Sequence, residues 1–249
     1  MFKAIRNHYF RDVINRLNDL EVAVRVLTES PAYEPGDTIG LNGSMSRKRL
    51  FEELVQTFDF SFVIETGTYL GDSTGYFADA SKLPVCSSEI KPMLHSLAKV
   101  RLKGRPGIRL VRSDSRKFLE DMSGNPDVVQ KECFFYLDAH WGKDCPLAEE
   151  IHIIASRWRK FVVMIDDFQV PSDPGYVYDR CGTFKWMNLS LIRKSVKEHD
   201  LGAYFPSTPS RDDSVSGRPK GFVVLARNGD YGDRLKTVSL LREHRSGKG

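Results

Sequence analysis

The sequence predicts an α/β domain on a doubly wound, mostly parallel sheet of seven strands, ending in an antiparallel strand pair and preceded by an N-terminal helix. Three observations predict it. From Ser46 to Asp167, five short apolar runs alternate with helical segments; this rhythm means βαβ units and a sheet covered on both faces. Each run ends in a carboxylate: Glu65, Glu89, Asp114, Asp138 and the pair Asp166 and Asp167. In "VIETGTYLGDST", Gly67 and Gly71 directly follow the first run, where the chain must turn sharply from strand to helix.

The elements follow in order. Residues 1–30 read as a helix, because Phe10, Val13, Leu17, Leu20, Val24 and Leu27 recur at alternating spacings of three and four. Such a heptad seam packs either on its own domain or on a second copy, making a homo-oligomer. Residues 31–45, within "SPAYEPGDTIGLNGS", read as a linker or a lid, and residues 46–249 as the main domain. There, helix "RKRLFEELVQTF" and strand "FSFVIE" are followed by helix "DSTGYFADAS", strand "PVCSSE" and helix "PMLHSLAKVRL". Strand "IRLVRSD", helix "SRKFLEDM", strand "CFFYLD", helix "PLAEEIHIIASRW" and strand "FVVMIDD" complete the rhythm. Beyond residue 170 come a loop rich in Pro, Gly and Tyr, a helix near residues 185–198, and strands "GAYFP" and "GFVVLA", joined by a polar stretch that suits an antiparallel pair.

Composition excludes several classes. A net charge of +4, with acids and bases interleaved, argues for no nucleic-acid partner. No apolar run is long enough for a membrane helix, and the charged start "MFKAIRNHYFRDV" is not a secretory signal. Cys86, Cys133, Cys145 and Cys181 form no C-x-x-C pair. The expectation is therefore neither zinc nor a disulfide framework, and a reducing, cytoplasmic setting.

Ligands of a doubly wound sheet bind outside the carboxyl ends of its strands, so five carboxylates there suggest a binding edge. A dinucleotide loop would read G-x-G-x-x-G and cradle a pyrophosphate. Here the order is Glu65, Gly67, Tyr69, Gly71, Ser73, with Tyr69 where a middle glycine would stand. An acid at the strand end repels phosphate and suits a cation, while Glu89 follows at a spacing that suits a ribose diol. A cationic head joined to a ribose describes S-adenosylmethionine.

On these residues the chain resembles the class I S-adenosylmethionine-dependent methyltransferases, and within them the cation-dependent O-methyltransferases of the catechol type. Over residues 46–227, "ETGTYLGDS" is similar to E-x-G-x-Y-x-G-x-S and "SEIKP" to E-[IL]-x-P. "YLDAHWGKD" looks like L-D-H-W-K-D with one residue inserted on either side of His-Trp, and "MIDDF" matches a paired Asp-Asp or Asp-Asn. The resemblance implies a Rossmann-like sheet, with Glu65, Gly67, Tyr69 and Ser73 lining the methionine end and Thr68 and Gly71 in the same loop. It places Glu89 on the ribose hydroxyls with Ile90 beside it, Asp114 and Ser115 at the adenine, and Asp138 and Trp141 in the remaining wall.

The same resemblance brings Asp138, Asp166 and Asp167 together as ligands of Mg²⁺ or Mn²⁺, a set of hard oxygens suited to such ions. The cation would acidify an acceptor hydroxyl, and His140 or Lys143 would take the proton. The catechol enzymes carry Asn where this chain has Asp167. Macrocin-type sugar O-methyltransferases, with D-D-[FY], resemble it better there. The expected activity is O-methylation of a small molecule, a vicinal diol that is sugar-like or a natural product. A nicotinamide oxidoreductase would need the third fingerprint glycine, and a nucleic-acid methyltransferase an N-P-P-Y-like motif where the chain reads "LDAHW". A non-catalytic cofactor-binding scaffold is the remaining alternative.

Overall fold

Five parallel strands form one side of the sheet, out to its edge at β3: β1 (Phe62–Thr66), β2 (Val85–Glu89), β3 (Ile108–Arg112), β4 (Cys133–Leu137) and β5 (Phe161–Ile165). The computed structural model describes residues 40–140, 144–181, 185–213 and 218–244, with Val13, Leu17, Leu20, Glu21, Ala23, Val24 and Thr28. A two-stranded ribbon, β6 (Arg180–Cys181) and β7 (Lys185–Trp186), stands outside the sheet. Strands β8 (Leu201–Pro206), β9 (Val223–Arg227) and β10 (Leu241–Glu243) complete it in the order β10-β8-β9-β5-β4-β1-β2-β3. β8 and β9 are antiparallel, as expected. The sheet has eight strands rather than seven, because the tail adds β10 along β8.

Alternation of side chains assigns the core. Val63, Phe134, Val162 and Val224 point into one apolar cluster, and their neighbours Ile64, Phe135, Val163 and Leu225 into the other. Both faces are dry, as parallel strands require, and each such side chain contributes about 1.5–3 kcal/mol on burial. Helices α1 (Met45–Thr57), α2 (Asp72–Ser81), α3 (Pro92–Arg101), α4 (Ser115–Ser123), α5 (Pro126–Val129), α6 (Leu147–Arg157), α7 (Leu189–Glu198) and α8 (Asp230–Thr237) cover the sheet. Side-chain caps start several of them: Ser44 for α1, Asp114 for α4 and Asn188 for α7. The helix expected from residue 185 begins at Leu189, because Lys185 and Trp186 pair with β6 before Asn188 caps the first turn.

Two expectations are corrected. Residues 40–44 are part of the body: Leu41 is buried, its N–H donates to Ser73 Oγ at 3.1 Å, and Asn42 reaches Asp166 Oδ2 at 3.0 Å. The remainder of the expected linker, 31–39, lies outside the described residues. The expectation of no disulfide also fails, because Cys145 and Cys181 are joined with their Cα atoms 5.1 Å apart. The sequence signal was silent because the fold, not a spacing motif, brings them together. Such a bond is rare in a reducing cytoplasm, so the cysteines do not support that setting. Cys86 and Cys133 are buried thiols as expected.

The described residues of the N-terminal segment are helical. Val13, Leu17, Leu20 and Val24 are 39–58% exposed, whereas Ala23 packs with Leu70, Leu94 and Leu97. The seam therefore faces away from the body. Phe10 and Leu27 lie outside the described residues. Among the described residues no helix is long and apolar enough to cross a membrane.

Candidate active site

Strand order reverses at β1, which has β2 on one side and β4 on the other. In such a sheet the cleft opens at this switch point. Gly67 (φ 91°) sits at its floor, where an added Cβ would lie 2.5 Å from the Asp138 carbonyl oxygen. Only glycine lets β1 turn so close to β4. Gly71 (φ 84°) then precedes α2, with its N–H bonded to the Thr68 carbonyl at 2.8 Å.

Around this turn the expected cofactor residues gather. Glu65 is buried and accepts hydrogen bonds from the Thr74 hydroxyl and from Ser87 at 2.6 Å through Oε2, while Oε1 has no hydrogen-bond partner. Burial, partly offset by those hydroxyls, lifts its carboxyl to about 7. Glu89 accepts from the Tyr69 N–H through Oε2 and from the Lys91 N–H through Oε1, both at 2.9 Å. Thr68 shares a 2.6 Å hydroxyl contact with Ser87. Tyr69 and Ile90 are exposed at the mouth. Ser73 holds Leu41, as described, so its hydroxyl braces the loop from behind. Asp114 is committed to its own helix: it accepts from the Arg116 N–H at 2.9 Å and from the guanidinium at 2.8 Å. That hydrogen bonding holds its carboxyl below the usual range. Ser115 and Thr66 lie against Glu150, a buried acid on α6 whose carboxyl burial raises. Nothing in the helical pattern of α6 marks Glu150 as an inward-facing acid.

The other half of the edge differs from expectation. Asp138, His140 and Asp167 offer ligand atoms within 4.8 Å of one another. His140 Nε2 is 3.8 Å from Asp138 Oδ1 and 3.5 Å from Asp167 Oδ2. Asp166 is not in this group. Its Oδ1 pairs with the Arg47 guanidinium and accepts the Asp167 N–H at 2.7 Å. Its Oδ2 accepts from the Tyr136 hydroxyl at 2.5 Å and from Asn42. Of the three aspartates expected as ligands, Asp166 is thus the one already partnered on both oxygens in this fold. Arg47 is fully buried, and its guanidinium also donates to the Lys220 and Gly221 carbonyls at 2.5 and 3.2 Å. The amphipathic pattern of α1 carried no sign of it.

Asp167 has φ 52°, a left-handed conformation that Asp tolerates better than most residues. Lys220 Nζ lies 3.2 Å from Asp167 Oδ1 and 2.8 Å from Asp179 Oδ1. Four carboxylates, Asp138, Asp166, Asp167 and Asp179, thus share two permanent cations, Arg47 and Lys220. Burial, then the charge of Asp166, pushes the Asp138 carboxyl well above its ordinary value. Burial pulls the His140 imidazole down, but the hydrogen bond to Asp167 and the charges of Asp138 and Asp167 outweigh it, leaving it at about 9. Asp138 Oδ1 remains buried with no hydrogen-bond partner. A divalent cation fits there, because it would supply the positive charge that lets Asp138 ionise beside Asp166 and Asp167.

The β6–β7 ribbon borders this cluster. The Asp179 N–H donates to the Asp167 carbonyl at 3.0 Å, and the Gln169 N–H to Met187 at 2.8 Å. Disulfide Cys145–Cys181 ties the ribbon to the segment between β4 and α6. On the ribbon, the Arg180 guanidinium lies 4.3 Å from the centre of the exposed Trp186 ring. Trp141 and Lys143 lie outside the described residues.

No protein-family model matches the chain, and no curated protein matches its sequence. Solved structures do match its fold. The O-methyltransferase of Bacillus cereus in complex with SAH superposes at TM-score 0.53 and 14% identity, covering 84% of this chain and 88% of that one. The O-methyltransferase TomG of Streptomyces achromogenes, involved in tomaymycin synthesis and in complex with SAM, gives 0.51 and 16%, covering 74% and 80%. The precorrin-6y C5,15-methyltransferase of Geobacter metallireducens gives 0.50 and 10%, covering 81% and 96%. At such identities the likeness is one of fold. The fold is that of these methyltransferases, and the acceptor chemistry must be argued from the site.

Proposed function

We propose that this protein transfers a methyl group from S-adenosylmethionine to a hydroxyl of a small molecule, with a divalent cation at the acceptor. One observation carries the reading. Two buried carboxylate oxygens without hydrogen-bond partners, Glu65 Oε1 and Asp138 Oδ1, end adjacent strands at the switch point. Each calls for a positive partner. When bound, the cofactor supplies an electrophilic methyl group, and Mg²⁺ or Mn²⁺ supplies acidification of the acceptor hydroxyl.

The chain's own residues do the rest. Glu65 faces the cofactor's cationic head, and Glu89, fixed by two backbone N–H groups, keeps lone pairs for the ribose hydroxyls. Asp138 and Asp167 would hold the cation. Without a cation, Asp138 and Asp167 keep His140 protonated between them; a cation held by those two carboxylates would disfavour that proton and leave the imidazole as the base in reach of the acceptor. The ribbon, with Trp186 and Arg180, forms the acceptor side, which suits a ring-bearing vicinal diol, sugar-like or a natural product.

The test is methyl transfer from labelled S-adenosylmethionine to a panel of catechols and glycosides. EDTA should abolish transfer, and Mg²⁺ or Mn²⁺ should restore it. Asp138→Ala and Asp167→Ala should be inactive, and His140→Ala slower by roughly 10²-fold. Transfer that survives chelation would remove the cation from the reading.

We also propose that the N-terminal seam pairs with a second copy of this chain. A heptad seam needs a helix of matching period, and its described residues Val13, Leu17, Leu20 and Val24 are 39–58% exposed. Arg16 and Glu21 stand five residues apart in the sequence, at the g and e positions that flank the seam. In a parallel pair of identical helices these opposite charges meet. Light scattering should report a dimer for the full chain and a monomer for residues 40–249. Equal masses would leave the seam without a partner.

A further inference from the structure

Helices α6 and α7 run side by side in the same direction. The Ser195 hydroxyl donates to the Ala148 carbonyl at 3.2 Å, and one turn further His152 meets His199. His152 Nδ1 and His199 Nε2 are 3.0 Å apart, and Glu198 Oε1 is 3.8 Å from His152 Nδ1. All three ligand atoms lie within 4.8 Å of one another. None belongs to the Asp138, His140 and Asp167 group.

From this geometry we infer that His152, Glu198 and His199 form a second metal site, for a divalent transition ion that prefers imidazole, such as Zn²⁺ or Ni²⁺. Two ring nitrogens this close share either one proton or one metal. With metal–nitrogen bonds of about 2.05 Å, ligands at a right angle lie about 2.9 Å apart and tetrahedral ones about 3.3 Å. The observed separation falls between them. Two imidazoles and a carboxylate select Zn²⁺, Ni²⁺ or Cu²⁺ over Mg²⁺ and Ca²⁺. His152 and Glu198 are exposed, so water can complete the coordination.

The surroundings hold the ligands in place. The Arg227 guanidinium donates to the His199 carbonyl at 3.2 Å and to the Ala155 carbonyl, so one side chain fixes the ends of both helices. Burial and then the neighbouring His152 hold the His199 imidazole below its ordinary value, in the direction of the neutral form. Arg227 acts in the same sense on the imidazole, though its charge opposes a cation. A metal here would clamp α6 to α7. These helices continue from the segments that Cys145–Cys181 joins, so the ion would be a second fastener between the same parts of the chain.

The test uses untagged, chelator-treated and dialysed full-length protein, titrated with ZnCl₂ or NiCl₂ by calorimetry. Wild type should show a site that MgCl₂ does not fill. His152→Ala and His199→Gln should each weaken it by roughly tenfold or more, while Asp138→Asn retains it. Zn²⁺ at about a hundred times Kd should raise Tm by about 5–10 °C in wild type and not in His152→Ala. If wild type and His152→Ala bind Zn²⁺ alike, or neither binds, the two rings form a hydrogen-bonded pair only and the inference is wrong.

Discussion

The two halves of the sheet's carboxyl edge neutralise their acids in opposite ways. At β1 and β2, Glu65 is held by the hydroxyls of Thr74 on α2 and Ser87 on β2, and Glu89 by backbone N–H groups from the turns that follow the two strands. At β4 and β5, Asp166 and Asp167 are met by Arg47 and Lys220, cations brought from the first helix and from the segment before β9. The first arrangement leaves acceptor capacity for a ligand. The second consumes one carboxylate in structure and leaves Asp138, His140 and Asp167 for chemistry. Adjacent acids in "MIDDF" therefore have different partners, Arg47 for one and Lys220 for the other.

The largest effect should come from breaking the second arrangement. Arg47→Met would strand Asp166 as an uncompensated buried charge, a loss of about 3–5 kcal/mol in stability by urea denaturation. Adding Asp166→Asn should recover much of it. A change below about 1 kcal/mol would show that Asp166 never depended on Arg47 and would return it to the list of candidate metal ligands.

A smaller effect sharpens the first arrangement. Glu65 ionises near 4.5 when unfolded but near 7 in the cofactor-free fold. Its contribution is fully present below pH 4.5 and is lost as pH rises to 7, because the unfolded chain releases the proton first. The loss is on the order of 3 kcal/mol. Glu65→Gln should remove that part of the slope, so the gap between variant and wild type should widen from pH 4.5 to 7. Parallel stability curves would mean Glu65 is already ionised.

What the sequence disclosed follows the same division. The parallel strands, the glycine turn and the carboxylates at the strand ends were legible because period and local turn chemistry determine them. Gly67, Glu65 and Glu89 stand at the turn and strand ends expected for that reason. Arg47 sat in an ordinary amphipathic helix, Lys220 in a polar loop, and Glu150 within a helical repeat, and nothing local distinguished them. The Cys145–Cys181 link and β10 likewise depend on distant segments meeting. His140 was legible as a neighbour of Asp138, but its place between Asp138 and Asp167 arises only once β4 and β5 lie side by side.

The measurement that bears most directly on the central claim is a calorimetric titration of the full chain with S-adenosylmethionine, compared with NAD. The expected result is micromolar binding of S-adenosylmethionine and none of NAD. Glu89→Ala should weaken it by roughly tenfold or more, the worth of about 1.5–3 kcal/mol in hydrogen bonds to a charged acceptor. Binding of NAD as tight as that of S-adenosylmethionine, or an affinity unchanged by Glu89→Ala, would contradict the cofactor assignment.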